Sequence, residues 1–269
     1  MAELTITSAA NPRLKQLISL RRRRTREELG LTLLEGYDEL VLALEAGVRL
    51  RTLYFCPELM LDADVQQQVV DEERDNGVEV VRLARQAFEK VAYREGADGF
   101  LAVAPSVRHG LDQLDLPADP LVLVAEGVEK PGNLGAMLRT ADAAGVDAVI
   151  AADPVTDWGN PNVVRGSKGT VFSVPVASAS TDEALNYLHR NGIHLLAATP
   201  DTELLHTDAD LTGPVAIAVG TEKYGLSDEV LERADARIRI PMVGRANSLN
   251  VSTSAAIVLY EAVRQRARR

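Results

Sequence analysis

Apolar residues along this chain repeat with two alternating periods, one typical of helices and one typical of strands. Leu14, Leu17 and Ile18 lie at helical spacing, which predicts a helix over residues 11–24. The apolar run at residues 31–34 predicts a short strand. Further strands are predicted at residues 50–55, 78–83 and 99–104, and helices at residues 39–46, 63–75 and 85–91. Strands that alternate with helices predict an α/β fold.

A proline-containing segment without periodicity separates this pattern from a second one. Pro105, Pro117 and Pro120 lie in it, which indicates a linker between domains. The apolar run at residues 121–125 has no polar position and predicts a buried parallel strand. We therefore predict a domain over residues 1–106, a linker over 107–119 and a second domain over 120–269.

The second domain is also predicted to alternate strands and helices. Its strands are predicted at residues 148–151, 172–174, 194–198, 215–219 and 237–240, and its helices at residues 133–144, 181–191 and 248–266. The last helix has an apolar face at Ala255, Val258, Leu259 and Ala262. That face can pack on the core of the same chain or on a second copy.

The composition of the chain indicates where the protein works more clearly than it indicates which reaction the protein performs. Hydrophobic residues make up 46% and charged residues 25%, as in ordinary globular proteins, and no run reaches the roughly 18 apolar residues of a membrane span. The first six residues lack a basic start followed by an apolar run, so we expect no signal peptide. Cys56 is the only cysteine and cannot form an internal disulfide. We expect a cytoplasmic protein with no membrane contact.

The formal net charge of −10 argues against a nucleic-acid partner, but the charge is uneven along the chain. The predicted helix at residues 11–24 and its extension to residue 26 carry basic residues and no acidic one. A second basic group ends the chain at Arg264, Arg266, Arg268 and Arg269. A local basic patch on an acidic protein can bind RNA, or it can be a solvated helix face.

Three polar segments that contain glycine interrupt the second domain just after apolar runs. They cover residues 126–135, 220–227 and 240–252. Ligands of open parallel sheets bind beyond the carboxyl ends of the strands, where such segments would meet. Each segment taken alone is also compatible with an ordinary turn and a helix cap, for which Asn133 and Ser248 are suitable residues.

Taken together, the three segments resemble a known pattern. Asn133-Leu-Gly-Ala-Met-Leu-Arg139, Gly220-Thr-Glu-Lys-Tyr-Gly-Leu226 and Ile240-Pro-Met242 with Ser248-Leu-Asn-Val-Ser252 resemble the three motifs of the SpoU/TrmH family of RNA ribose methyltransferases, in the SPOUT class. Their order and spacing fit across residues 120–269. Lys223-Tyr224 departs from the small or polar residues that many members carry there, which bears more on RNA contact than on catalysis.

The resemblance implies a fold, a cofactor and an assembly. The fold is a C-terminal SPOUT trefoil-knot methyltransferase domain with a smaller N-terminal α/β ribosomal-protein-like RNA-binding domain. The cofactor is S-adenosylmethionine (AdoMet), held in the knot, and the assembly is a homodimer with active sites at the subunit interface. The cofactor-binding residues implied are Thr199, Gly220, Ile240, Met242 and Leu249. The RNA-binding residues implied are Arg21, Arg22, Arg23, Arg24 and Arg26.

The implied catalytic residues are Arg139, Asn133, Glu222, Ser248 and Asn250. Arg139 occupies the position that activates the ribose hydroxyl. A guanidinium stays protonated in the usual pH range, so an electrostatic role on the developing alkoxide suits it better than a role as base, although a neutral form acting as base remains an alternative. Asn133 would position Arg139 or the ribose, and Glu222 would orient Arg139 or the RNA. Ser248 and Asn250 would hold the ribose or the methionine end.

The expected function is therefore AdoMet-dependent methylation of a ribose 2′-hydroxyl, most simply in ribosomal RNA. The alternatives are a tRNA methyltransferase and a non-catalytic RNA-binding protein that keeps the fold. A dinucleotide-binding enzyme would need a G-x-G-x-x-G or P-loop motif, which the chain lacks. The four histidines do not cluster with carboxylates or the cysteine, so we expect no metal. Neither the modified nucleotide nor a role in antibiotic resistance can be inferred from the sequence.

Overall fold

The structure is a computed structural model that describes residues 4–93, 96–107 and 109–268. Arg269, the last of the C-terminal arginines, lies outside the described residues. The chain forms two compact units. Unit 1 comprises Met1–Val107 and Trp158–Ser173, and unit 2 comprises Arg108–Asp157 and Val174–Arg269.

Strands and helices alternate along the described chain, as the periodicity predicts. The strands are β1 Leu4–Ile6, β2 Leu31–Glu35, β3 Thr52–Phe55, β4 Glu79–Leu83, β5 Phe100–Pro105, β6 Leu121–Glu126, β7 Ala148–Ala152, β8 Val176–Ala179, β9 His194–Ala198, β10 Val215–Val219 and β11 Ala236–Ile238. The helices are α1 Pro12–Ser19, α2 Arg23–Leu29, α3 Tyr37–Glu45, α4 Ala63–Asp75, α5 Arg85–Val91, α6 Pro131–Ala144, α7 Pro161–Gly166, α8 Thr181–Arg190, α9 Asp228–Arg233 and α10 Val251–Arg266.

Unit 1 contains a mixed sheet with the strand order β1-β4-β3-β5-β2. Strand β5 runs antiparallel to both of its neighbours, and the other pairs are parallel. A core that includes Leu14, Phe88 and Leu101 packs on this sheet. The predicted helix over residues 11–24 is wrong in length, because the chain breaks between α1 and α2. At the break, the buried Arg26 guanidinium donates to the carbonyls of Leu20 and Arg21. These oxygens therefore have hydrogen-bond partners although the helix does not continue past them.

Unit 1 also includes a segment from the middle of the chain. The Thr32 hydroxyl on β2 donates to the carbonyl of Gly159 at 2.6 Å, and the Lys168 ammonium lies 3.6 Å from the Asp38 carboxylate. Gly169 has φ +87° and lies so close to α3 that an added Cβ would be 2.9 Å from the Glu39 carbonyl oxygen. The boundaries 1–106, 107–119 and 120–269 stay a prediction, to which these contacts add that residues 158–173 pack in unit 1.

Unit 2 contains a wholly parallel sheet with the strand order β11-β9-β10-β6-β7-β8. Every residue of β6, β7 and β10 is buried, as expected for central strands with helices on both faces. Helices α8 and α9 pack over Val122 and Val124, and α6 packs against α10. The predicted apolar face of α10 is fully buried within the chain, so of the two alternatives it packs on its own core.

One predicted strand of the second domain is wrong. Residues 172–174 do not form a strand, because a 3-10 turn over Thr170–Phe172 precedes β8. The Ser167 hydroxyl donates to the Val164 carbonyl, and the Thr170 hydroxyl donates to the Ser167 carbonyl. Such local bonds from serine and threonine compete with strand pairing and favour turns.

The C-terminal arginines are partly structural. The Arg266 guanidinium donates to the backbone carbonyls of Leu211, Asp119, Pro120 and Gly213 at 2.6 to 3.1 Å. These bonds tie the end of α10 to the beginning of β6 and to the segment before β10. Arg266 is therefore engaged inside unit 2.

Candidate active site

The predicted cofactor-binding residues follow neighbouring strands of the unit 2 sheet. Thr199 follows β9, Gly220 follows β10, and Ile240 lies two residues after β11. Because β9 lies between β11 and β10 in a parallel sheet, these three positions share one edge. The Thr199 amide donates to the Ile238 carbonyl at 2.9 Å and continues the pairing of β9 with β11. Ligands of parallel sheets bind at this edge.

A tight hairpin follows β10 and fixes the position of Glu222. The amides of Thr221 and Gly225 donate to each other's carbonyls at 2.9 and 3.0 Å. Gly225 has φ +72°, which favours glycine, and a Cβ on Gly220 would lie 2.1 Å from the Gly225 carbonyl oxygen. Both glycines are therefore required by the geometry of this turn.

Glu222 binds side chains from the two other polar segments and so joins all three. Its Oε1 accepts hydrogen bonds from Asn133 Nδ2 at 2.9 Å and from Asn250 Nδ2 at 2.7 Å. Its Oε2 forms an ion pair with the Lys130 ammonium. Asn250 Nδ2 also lies 3.2 Å from Asn133 Oδ1. We call Lys130, Asn133, Glu222 and Asn250 the Glu222 cluster.

The donors of this cluster favour the ionised form of its carboxyl group. The hydrogen bond from Lys130 and then that from Asn133 lower the pKa of Glu222, and Asn250 contributes in the same direction. A carboxylate that accepts three side-chain donors is held in one orientation. Glu222 therefore acts as an anionic acceptor at neutral pH, and it orients the two asparagine amides.

The helix starts differ from the caps that the sequence suggests. Asn250, two residues after the predicted cap Ser248, caps α10 because its Oδ1 accepts a bond from the Ser252 amide at 3.0 Å. Asn133 does not cap α6, which begins at Pro131, and its side chain is used in the Glu222 cluster. Of the other predicted residues, Ser248 is exposed, and Ile240, Met242 and Leu249 are half-buried.

Arg139 lies apart from the Glu222 cluster within the single chain. It is exposed on α6, and no hydrogen bond or ion pair joins it to any of residues 4–93, 96–107 and 109–268. Six helical positions separate it from Asn133, which corresponds to about 9 Å along the axis and about 120° around it. The structure thus provides no contact through which Asn133 or Glu222 of the same chain orients Arg139.

Glu126, the buried acid at the end of β6, has a structural role. Its carboxylate accepts bonds from the Ser227 amide at 2.8 Å, from the Ser227 hydroxyl at 2.5 Å and from the Thr181 hydroxyl at 3.3 Å. Ser227 caps α9, and Thr181 begins α8. Glu126 therefore connects two helix starts, and its oxygens are occupied by protein donors.

The predicted RNA-binding arginines of unit 1 need a correction. Arg26 is 1% exposed and bound to backbone carbonyls, so it cannot contact a phosphate on the surface. Arg21 is half-buried and donates to the carbonyls of residues 91 and 92. Arg23 and Arg24 form ion pairs with the glutamates four residues later, and Arg22 is exposed. The exposed part of the predicted RNA-binding patch consists of Arg22, Arg23 and Arg24.

Sequence reasoning missed two members of the site. Lys130 pairs with Glu222 across 92 positions of sequence, and the Ser252 hydroxyl donates to Asn250 Oδ1 at 2.5 Å. Both residues lie inside the three polar segments, so their positions carried a signal. The pairing of Lys130 with Glu222 carried none, because only the folded sheet brings their two segments together.

Two further observations concern metal sites and membrane spans. Within the described ranges, no group of three or more histidine, cysteine, aspartate or glutamate side chains is arranged to hold a metal ion. Over the same ranges, no helix combines the length and the apolar character needed to cross a bilayer.

The parallel α/β sheet with motif loops at its carboxyl edge, together with its similarity to solved rRNA and SpoU methyltransferases, places the chain in the SPOUT class of methyltransferases. The model of the SpoU rRNA Methylase family matches residues 120–260, and that of the MRM3-like substrate binding domain matches residues 11–102. The chain belongs to the SpoU rRNA methylase family. The family and the fold class predicted from the motifs are confirmed.

Relatives match this chain over nearly its whole length. The 23S rRNA (guanosine(2553)-2′-O)-methyltransferase RlmP of Bacillus subtilis is 28% identical over 255 residues, which cover 95% of this chain and 97% of the relative. A crystal structure described as an RNA 2′-O ribose methyltransferase is 41% identical, with a TM-score of 0.86 and coverage of 98% and 100%. The SpoU methyltransferase AviRb from Streptomyces viridochromogenes in complex with AdoMet is 29% identical, with a TM-score of 0.87 and coverage of 96% and 98%.

Proposed function

We propose that this protein transfers a methyl group from AdoMet to a ribose 2′-hydroxyl of ribosomal RNA. The observation that carries the proposal is the Glu222 cluster, in which Asn133, Glu222 and Asn250 from three motif segments form one hydrogen-bonded group. The whole-length similarity to an enzyme named for 23S rRNA 2′-O-methylation favours ribosomal RNA over tRNA.

The loops at the edge of β11, β9 and β10 carry the kinds of groups that an AdoMet molecule would need. They offer the Thr199 hydroxyl, the half-buried apolar residues Ile240, Met242 and Leu249, and a glycine at position 220. An adenine ring and a thioether chain need such apolar surface together with a few polar groups. When bound there, AdoMet would supply an electrophilic methyl group, and the site residues would hold the acceptor.

Arg139 is the residue that we assign to the acceptor hydroxyl. Its guanidinium would donate hydrogen bonds to the ribose oxygen as that oxygen passes its proton to solvent water and gains negative charge. Asn133 and Asn250, held by Glu222, would fix the ribose, and Ser248 would bind the ribose or the methionine end. Since no described residue forms a hydrogen bond or an ion pair with Arg139, its guanidinium donors are available for the substrate.

We infer that the working form is a homodimer. Within one chain, Arg139 points about 120° around α6 from Asn133, which belongs to the Glu222 cluster. In a symmetric dimer, Arg139 of one copy can complete the Glu222 cluster of the other. A single heterodimer with one R139A subunit and one E222A subunit tests this assembly. It keeps one intact site if the site is shared between copies, and none if each chain builds its own.

Three measurements test the proposed reaction. Calorimetry measures AdoMet binding, transfer of a labelled methyl group to ribosomal RNA measures activity, and mapping of 2′-O-methyl groups in cells with and without the protein finds the nucleotide. We expect binding, transfer and one lost modification in ribosomal RNA. AdoMet binding without transfer to any RNA would favour a non-catalytic RNA-binding protein. A lost modification in tRNA would favour a tRNA methyltransferase. A role on ribosomal RNA also supports a cytoplasmic location.

A further inference from the structure

Tyr224 is an exposed aromatic side chain beside the candidate active site. It lies two residues after Glu222 in the same hairpin and is 75% exposed. A single exposed aromatic side chain is ordinary on a protein surface, so a role for Tyr224 depends on its position and its neighbours. This chain has an aromatic content of only 4%, so a tyrosine placed in the motif loop stands out.

The hairpin holds Tyr224 in place. The Tyr224 amide donates to the Thr221 hydroxyl at 2.9 Å, and the paired amides and carbonyls of Thr221 and Gly225 close the turn around it. Glu222, in the same turn, is fixed by Asn133 and Asn250. The ring therefore projects from a hydrogen-bonded turn that also carries Glu222, and little ordering of the backbone is needed when a ligand contacts it.

Lys223 places a positive charge beside the Tyr224 ring. Its ammonium lies 4.5 Å from the Tyr224 ring centroid and donates to the Tyr224 hydroxyl at 2.5 Å. An aromatic face next to a cation is the combination that proteins use to bind unpaired bases of RNA, with stacking on the ring and attraction of the phosphate. On a protein of net charge −10, this local cation also offsets the repulsion of the RNA backbone.

We propose that Tyr224 stacks on an unpaired RNA base at or directly beside the nucleotide whose ribose is methylated, with Lys223 holding the adjacent phosphate. The proposal rests on the proposed function and deepens it. Unpaired bases can be splayed out and stacked on aromatic side chains, and a stacking surface beside Glu222 stabilises a nucleotide in that conformation. Tyr224 thus contributes to substrate binding and to the choice of site.

A contact between protein subunits is the competing explanation of an exposed tyrosine. The adjacent Lys223 argues against it, because an ammonium group is depleted from the buried centre of interfaces and is costly to desolvate. The two explanations differ in measurable ways, since only one of them predicts that loss of the ring changes RNA binding while the oligomeric state stays the same.

The first test compares Tyr224→Ala, Tyr224→Leu and Tyr224→Phe in the full chain, with Tyr260→Ala as the matched control. Tyr260 is an exposed tyrosine on α10 outside the Glu222 cluster. We expect Tyr224→Ala and Tyr224→Leu to raise the KM for RNA by about 5-fold to 100-fold, the range given by loss of one aromatic stacking partner. Tyr224→Phe keeps the ring and should remain close to the wild type. AdoMet affinity and the melting temperature should not change.

The second test observes the base directly. The substrate is an RNA oligonucleotide that carries 2-aminopurine next to the mapped nucleotide, and its fluorescence reports stacking. Binding of the wild type and of Tyr224→Phe should quench the fluorescence through the ring, whereas the Tyr224→Ala complex at saturating protein should not show this quenching.

The outcomes separate the two levels of inference. A wild type that neither binds AdoMet nor methylates RNA overturns the proposed function itself. An active wild type with an unchanged KM in Tyr224→Ala, or with equal effects of Tyr224→Leu and Tyr224→Phe, overturns the stacking role alone. A shift of Tyr224→Ala to monomer in light scattering assigns the side chain to a subunit interface and also overturns it.

Discussion

The Glu222 cluster of unit 2 and the arginine run of unit 1 both stand out in the sequence as functional candidates, but the fold uses their charges differently. In the cluster, an acid gathers a lysine and two asparagines from distant segments. In the run, Arg26 and Arg21 bind nearby backbone carbonyls. A motif distributed over three loops therefore locates a site, whereas a run of like charge does not show which of its members face solvent.

Arg139→Ala is expected to have the largest effect on the cluster side of this comparison. Removal of a donor to a developing oxyanion costs about 100-fold to 1,000-fold in turnover, and we expect at least this loss of methyl transfer. AdoMet affinity should stay near the wild-type value, because the residue acts on the hydroxyl. Single-turnover transfer measures the loss of methyl transfer, and calorimetry measures the AdoMet affinity. Turnover close to wild type in this variant would remove Arg139 from the mechanism.

Glu222→Ala is expected to lower turnover by a factor of about 100, because it releases Lys130, Asn133 and Asn250 together and misplaces the groups around the ribose. Glu129→Ala, an exposed glutamate in the loop before α6, is the matched control and should be close to wild type. The lowered pKa of Glu222 adds a pH test. The group stays ionised as the pH falls through its ordinary value of 4.5 and loses its bonds only below that pH. Equal activities of the two variants would contradict the role of the cluster.

Arg26→Met tests the run side, through stability. The carbonyls of Leu20 and Arg21 would lose their buried donor, and we expect the free energy of unfolding to fall by roughly 3 kcal/mol. Denaturant titration measures it, with the exposed Arg24→Met as the control that should change little. If Arg26→Met weakened RNA binding at an unchanged denaturation midpoint, the residue would belong to the RNA surface after all.

Charge reversal of the exposed part of the run should have the smallest effect. In a double variant with Arg22→Glu and Arg24→Glu, RNA binding should weaken, and the salt dependence of log K should decrease by about 1 for each phosphate that the variant no longer neutralises. Titrations at several salt concentrations give the slope, and Arg85→Glu is a control on another exposed helix of unit 1. A slope equal to that of wild type would exclude these arginines from phosphate binding.

Elements with a clear local pattern could be predicted from the sequence. Helix α4 and strands β9 and β10 have the predicted bounds, because Asn76-Gly77 ends the polar helix and an apolar run defines each strand locally. The family and the parallel α/β fold followed from three motifs in register. These predictions depend on information contained in short stretches of chain.

Features that depend on which particular groups a side chain binds, near or far along the chain, could not be predicted in this way. The break between α1 and α2 requires the buried Arg26, whose charge suggested an exposed position. The turn before β8 depends on hydroxyl bonds of Ser167 and Thr170. The pairing of Lys130 with Glu222 spans two loops that only the assembled sheet brings together. The roles of Arg139 and of the AdoMet residues stay predictions.

The discontinuous make-up of unit 1 has a practical consequence for protein engineering. A fragment that stops at residue 107 would lack the segment that accepts the Thr32 hydroxyl and covers β2. Such a fragment should be prone to aggregation, since it leaves a strand surface bare. Exchange of substrate-binding modules between relatives should therefore transplant residues 158–173 along with the N-terminal part, as a two-piece graft.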